Sequence, residues 1–275
     1  MNFELLIPAI ICGIFAYLGA VETPWAFGIT GGFYTLGRPL VAGLVVGLAF
    51  GDIQSGVLCG LAVQGVFIAN LSTGGATNSE ITYASYGGIG LAMATTQDPA
   101  VAVALSILIG NTFGLIFYNT KMALYSYWNR KIDTAVENND TRSIMLNHMV
   151  YPQIVTFIFR AIPVMLAIYY GQGLVESVLS SVPQVVTDSI SVLGGVLPAL
   201  GIAMLMNIVI KNSFDFIYFF AGFVLLAFAG LDMIPLVIIA ALVAYLVYLA
   251  SSNKGQGRAA STNTDAEVFE DDDLF

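Results

Sequence analysis

Long apolar runs broken by single charges set the rhythm of the chain: residues 5 to 21, 53 to 79, 81 to 97, 99 to 120, 189 to 210 and 233 to 253 contain no Asp, Glu, Lys or Arg. Several approach the ~20 residues that an α-helix needs to span bilayer hydrocarbon. A run such as MIPLVIIAALVAYLVYLA is apolar on every face, whereas the strands of a membrane barrel alternate apolar and polar positions. The pattern predicts an all-α polytopic membrane protein with about seven to nine membrane-inserted helices, some of them re-entrant or broken and too short to cross.

Composition supports that class: 57% of the 275 residues are hydrophobic and 10% are charged, with a mean hydropathy of +0.84, which excludes an ordinary soluble globular chain. Glu4 sits where a cleaved signal carries Lys or Arg, so the first apolar run reads as a retained helix. Cys12 and Cys59 lie in apolar runs without CxxC spacing and read as packing residues, so no metal centre or cofactor is expected. The formal charge of −9 is concentrated, with six of the eighteen acids in the terminal DAEVFEDDDLF behind the polar linker SSNKGQGRAASTNT. Residues 1–252 therefore read as the membrane-embedded domain and 253–275 as a disordered acidic cytoplasmic tail. Nothing in this charge pattern suggests nucleic acid as a partner; membrane lipid is the surrounding medium.

Lys121, Arg130, Lys131 and Arg142 cluster in one polar connection, and Lys254 and Arg258 follow the last apolar run. The positive-inside rule places both groups in the cytoplasm. That requires an even number of crossings between them, and segments 144 to 170, 189 to 210, 214 to 231 and 233 to 252 supply four.

The stretch GRPLVAGLVVGLAFGDIQSGVLCG reads as two packed helices around a turn at Gly51-Asp52. Gly43, Gly47 and Gly51 are four apart and share a face, as do Gly56 and Gly60, and small residues at that spacing let another helix approach closely. Asp52 is placed to cap the second helix; Arg38, just before Pro39, marks a helix start or snorkels to an interface. Two glycine pairs leading to a proline, GGFYTLGRPL and GGVLPALGIA, raise an internal inverted repeat as an expectation.

The next seventeen residues, Gln64 to Glu80, hold Gln64, Asn70, Ser72, Thr73, Thr77, Asn78, Ser79 and Glu80, interrupted by Gly74-Gly75. Non-helical polar chain at membrane depth survives only where protein buries it or where it lines a wet cavity. The residues alone allow two readings, an external loop or a ligand site. Amides both donate and accept, and a carboxylate accepts from two hydroxyls, so a site of this kind suits a neutral polyol, with Tyr83 or Tyr86 available to stack on a sugar ring.

The run RPLVAGLVVGLAFGDIQSGVLCG, the broken polar stretch with GGATNSE, and the later VPQVVTDSISVLGGVLPALGIAMLMNIVI together resemble the membrane component IIC of the mannose/fructose/sorbose family of the bacterial phosphoenolpyruvate-dependent sugar phosphotransferase system, over residues 3 to 252. The resemblance implies a sugar-translocating permease subunit in the bacterial cytoplasmic membrane. It implies pairing with a IID membrane subunit, a homotrimer of IIC-IID pairs, and phosphorylation of the sugar on the cytoplasmic side by IIA and IIB, separate or fused. Carried onto matching positions, the sugar site comprises Gln64, Asn70, Thr73, Asn78 and Glu80, with Arg38, Gly43, Gly47, Gly51 and Asp52 as framework. Members of the family commonly carry glutamate at the position of Gln64 and Pro-Asp at Ser79-Glu80; these departures leave the particular sugar open. The chain has one histidine, His148, and no GxxxxGK[ST] loop, so no phosphocarrier or catalytic residue is expected within it. The alternative is an ion-coupled secondary sugar transporter using Glu80 or Asp52.

Overall fold

A computed structural model describes residues 3–70, 79–181, 184–210 and 212–262. All described regular structure is helical. The chain forms two compact units, Met1–Ile208 and Val209–Phe275. Among the described residues, four helical spans are long and apolar enough to cross a membrane: Pro99–Glu137, Thr141–Val175, Val192–Val209 and Met233–Ala250. A bent pair, Gly28–Leu36 with Pro39–Phe50, forms a fifth. Three shorter apolar helices, Glu4–Leu18, Ile53–Phe67 and Phe216–Ala227, bring the apolar elements to eight.

In the first unit, α1 (Phe3–Leu18) leads through a loop to α2 (Gly28–Gly31) and a π-helical turn, Gly32–Leu36. The chain then bends by 70°. Arg38 is extended, as a residue before proline prefers, and Pro39 opens α3 (Pro39–Phe50) at a position where its missing N–H costs nothing. Gly51 ends α3 at φ +77°, a conformation that glycine adopts without a Cβ clash, and Asp52 caps α4 (Ile53–Phe67) by accepting from the Ser55 N–H at 3.1 Å. The two helices then touch backbone to backbone. A Cβ on Gly43 would lie 2.7 Å from Gly60 Cα, one on Gly47 would lie 2.9 Å from Ile53 Cα, and one on Gly60 would lie 2.7 Å from the Pro39 carbonyl.

The end of the polar stretch and the apolar run that follows it form the centre of the unit. Every residue from Ser79 to Ala94 is buried, through a π-helical turn at Tyr83–Gly88 and α5 (Ile89–Met93). A helix covered on all faces must satisfy its own polar groups. Ser85 donates to the Gly37 carbonyl at 3.0 Å, Tyr86 to the Leu36 carbonyl at 2.6 Å and Tyr83 to the Phe159 carbonyl. Tyr83 also stacks on Phe117. These two tyrosines are therefore core residues rather than a surface for a sugar ring.

Asp98 caps α6 (Pro99–Leu108), which continues through a π-helical turn, Ile109–Phe113, into α7 (Gly114–Glu137). The basic connection read from the sequence is thus mostly helix. Asp140 caps α8 (Thr141–Met145) by accepting from the Ser143 N–H at 3.1 Å and its hydroxyl at 2.5 Å, which holds the carboxyl below its ordinary range. Another π-helical turn, Leu146–Val150, leads into α9 (Tyr151–Ser181), which packs on α1. Then α10 (Gln184–Val209) lays Gly201 against α4, where a Cβ would meet the Val66 carbonyl at 2.8 Å. The two glycine-proline stretches take different forms: 31–40 holds a π-helical turn and the bend, whereas 194–203 lies inside one continuous helix.

The second unit consists of α11 (Phe216–Ala227) and α12 (Met233–Thr262), joined across Gly230 at φ +65°. The last helix runs ten residues past position 252, where the apolar pattern ends. Residues 263–275 of the acidic tail lie outside the described residues.

Candidate functional site

Two polar constellations lie within the first unit. In one, Arg160 on α9 is fully buried and donates to the Glu80 carboxylate at 2.5 Å, to Glu22 at 3.2 Å and to the Thr82 hydroxyl. Lys121 on α7, equally buried, donates to the other oxygen of Glu22 at 2.7 Å. The Thr82 hydroxyl donates to Glu80 at 2.7 Å. Two acids face two bases, so the cluster is formally neutral, the condition under which charge tolerates burial. Aromatic rings cover the cations: Arg160 lies 5.6 Å from the Tyr83 ring centre, and Lys121 lies 5.0 Å from that of Tyr118. A polar chain supports the Glu22 loop from behind, with Gln153 donating to the Glu22 carbonyl at 2.7 Å, Tyr17 to Gln153 at 3.0 Å and Trp25 to Tyr17 at 2.9 Å.

The second constellation is a cavity of about 400 Å³ at the end of α4, within the size range of small-molecule sites. Val66, Phe67, Ala69 and Asn70 line it from α4 and its exit, Ser79 from the entry to the buried core, Ile107 and Asn111 from the α6–α7 helix, and Leu197 and Met204 from α10. Asn70 donates its amide to the Ser79 hydroxyl. The next residue, Glu80, donates its N–H to the Gly110 carbonyl at 3.1 Å. The cavity and the ion cluster are therefore adjacent along the chain at Ser79-Glu80.

Of the residues singled out in the polar stretch of the sequence, Asn70 and Ser79 line this cavity. Glu80 is buried with its carboxylate held by Arg160 and Thr82. Gln64 sits on α4 with its carbonyl oxygen buried and without a hydrogen-bond partner among the described residues, and it is not among the cavity residues. Thr73 and Asn78 lie outside the described residues. Arg38 stands with its guanidinium 5.2 Å from the Tyr34 ring centre and 5.6 Å from that of Phe33, and no ion pair joins it to Asp52. Gly43 and Gly47 face α4, while Gly51 and Asp52 make the turn between the helices.

Glu22 and Arg160 each interrupt apolar sequence as lone charges, and no local pattern joins them. The sequence pattern placed Lys121 with the cytoplasmic basic group, where the structure instead buries it. The available signal was the balance of the set, because an intramembrane charge needs an opposite one. Asn111 was missed; its signal is a carboxamide in the middle of the uncharged run from 99 to 120. His148 is exposed on the Leu146–Val150 turn.

A family model described as the PTS system sorbose-specific IIC component matches residues 6–246. The chain is 27% identical over 221 residues to the mannose-specific EIIC component of the PTS in Escherichia coli K12, covering 79% of this chain and 80% of the relative. It is 30% identical over 207 residues to the sorbose-specific EIIC component of Klebsiella pneumoniae, covering 72% and 76%. With the fructose permease IIC component of Bacillus subtilis it shares 25% identity over 276 residues, covering 96% and 94%. Its fold is similar to a solved chain described only as a membrane protein, at a TM-score of 0.75 and 22% identity, covering 90% and 96%. It is also similar, at a TM-score of 0.52, 22% identity and the same coverage, to a chain in the structure of the mannose transporter ManYZ with microcin E492.

Proposed function

Because the chain belongs to the family of sorbose-specific IIC components of the sugar phosphotransferase system, we propose that it is the sugar-translocating subunit of one such transporter in the bacterial cytoplasmic membrane. It works with a IID subunit as a homotrimer of IIC-IID pairs, and IIA and IIB proteins phosphorylate the sugar on the cytoplasmic side. The observation that carries this reading is the cavity of about 400 Å³ bearing Asn70, Ser79 and Asn111 in an otherwise apolar helical assembly. Neutral amides and hydroxyls among apolar walls match a neutral sugar, whose hydroxyls donate and accept and whose ring faces are apolar. Among the candidates drawn from the sequence, Asn70 is the direct contact, Glu80 fixes the segment that presents Ser79, and Gln64, Thr73 and Asn78 are carried from family resemblance.

The test uses membranes holding the full chain with its IID subunit. Labelled hexose should be taken up and retained as phosphate ester only when IIA, IIB and phosphoenolpyruvate are supplied. Accumulation of unmodified sugar under a proton gradient alone would overturn the proposal in favour of ion-coupled transport.

A further inference from the structure

The cavity has two polar walls from distant parts of the chain, and only one follows from the polar stretch that announces the site in the sequence. The other belongs to the Pro99–Glu137 helix, twelve residues from its start, at Asn111. A carboxamide at this depth needs a hydrogen-bonding partner or a wet cavity. Asn111 is exposed and has no partner among the described residues, yet it lines the same cavity as Asn70 and Ser79.

The local backbone explains why this residue points there. Asn111 sits in the π-helical turn Ile109–Phe113. Such a turn inserts one extra residue, rotates the side chains around it and loosens its carbonyls from the helix ladder. Here the Gly110 carbonyl accepts from the Glu80 N–H at 3.1 Å. Glycine is needed at this approach: a Cβ on Gly110 would lie 2.8 Å from the Ala84 side chain, and one on Gly114 would lie 3.0 Å from that of Glu80. One turn thus docks the Ser79-Glu80 segment and presents a free amide beside it.

We propose that Asn111 is a sugar-contacting and specificity-determining residue, its amide meeting a pair of neighbouring hydroxyls in the cavity that Asn70 also lines. The inference rests on the cavity being the sugar site. A primary amide offers two N–H donors and a carbonyl acceptor, so it engages one hydroxyl as donor and the next as acceptor. Its preference depends on how the two hydroxyls are oriented on the ring, which is what distinguishes one hexose from its epimer. Among the described residues no lining side chain is charged, which fits an uncharged monosaccharide.

The experiment uses full-chain membranes with the IID subunit and, as probe, whichever of labelled D-mannose, D-fructose and L-sorbose the wild type binds most tightly. Asn111→Ala should weaken binding about tenfold, the loss of hydrogen bonds to a buried ligand, and should reorder the three sugars; Thr112→Ala, on the same turn, should bind as wild type. Asn70→Ala tests the underlying reading separately. If Asn70→Ala weakens binding while Asn111→Ala leaves affinity and sugar order intact, the role of Asn111 is overturned and the cavity stands. If both bind normally, the cavity reading fails and takes the proposal with it. A second measurement does not depend on how well the alanine variant folds: Cys12 and Cys59 are buried, so sugar should protect Asn111→Cys, and not Thr112→Cys, from a thiol reagent. Equal labelling with and without sugar would overturn the assignment.

Discussion

Arg160 joins groups that no local pattern connects: its carboxylate partners lie 80 and 138 positions away in sequence, and Lys121 lies 99 positions from Glu22. Each charge alone reads as a helix boundary or a functional residue, so the cluster was illegible until the fold brought its members together. Asn70 was legible because a polar break in apolar sequence is a local signal. Burial makes the cluster sensitive to balance. Arg160→Met leaves the buried Glu80 and the partly buried Glu22 with one cation, and breaking a buried pair costs roughly 3–5 kcal/mol. That variant should lose most of its folded population in detergent. Lys121→Met and Glu22→Gln singly should each lower the melting temperature, and the double variant, neutral again, should be more stable than the sum of the two losses. Thermal unfolding of the four proteins reads the coupling directly, and strict additivity would show that Lys121 and Glu22 do not interact as drawn. For the same reason Glu80→Gln should reduce stability as well as sugar binding.

At the scale of elements, the α3–α4 hairpin was readable because its logic is periodic: glycines at four-residue spacing mark a contact face, and Gly51-Asp52 supplies a C-cap followed by an N-cap. The π-helical turns were not, since hydrophobic periodicity does not register one inserted residue, and the turns at 83–88 and 109–113 shape the surroundings of the site. The complete burial of Ser79–Ala94 was hidden for a related reason: an apolar run shows that a segment enters the membrane, whereas how many helices surround it depends on partners distant in sequence. Two substitutions separate packing from turn geometry. Gly56→Val forces a side chain into the α3 backbone, where a Cβ already meets the Gly47 N and the Gly43 carbonyl, and should cost at least the ~1–3 kcal/mol of overpacking. Gly51→Ala meets no neighbour but must hold φ +77°, at about 1–2 kcal/mol. Gly51→Asn should recover part of that loss, because asparagine tolerates the left-handed region, whereas no residue larger than glycine should restore position 56. Melting temperatures of the purified variants decide the ordering.

For the whole molecule, the pattern of runs conveyed helical class and approximate number of apolar elements, because hydropathy is summed over long windows and tolerates local error. Which of those elements cross the bilayer is a sharper question, and it turns on α11. That helix has 12 residues, about 18 Å at 1.5 Å per residue, against a hydrocarbon thickness of about 30 Å. Length alone makes it re-entrant, which leaves Thr141–Val175, Val192–Val209 and Met233–Ala250 as three crossings after Arg130 and Lys131 and puts Lys254 and Arg258 on the opposite side. The positive-inside rule requires the same side, and the apolar stretch is longer than its helix: residues 214 to 231 include Phe214 and Asp215 of the turn before it and Phe228 to Leu231 after it. We therefore expect α11 and its flanks to cross. Single cysteines replacing Lys131 and Arg258 test this, because the native thiols at Cys12 and Cys59 are buried and give a silent background. In intact cells a membrane-impermeant maleimide should label neither position, and in inside-out vesicles it should label both. Labelling of position 258 from outside would instead make α11 re-entrant and leave Lys254 and Arg258 as exceptions to the charge rule.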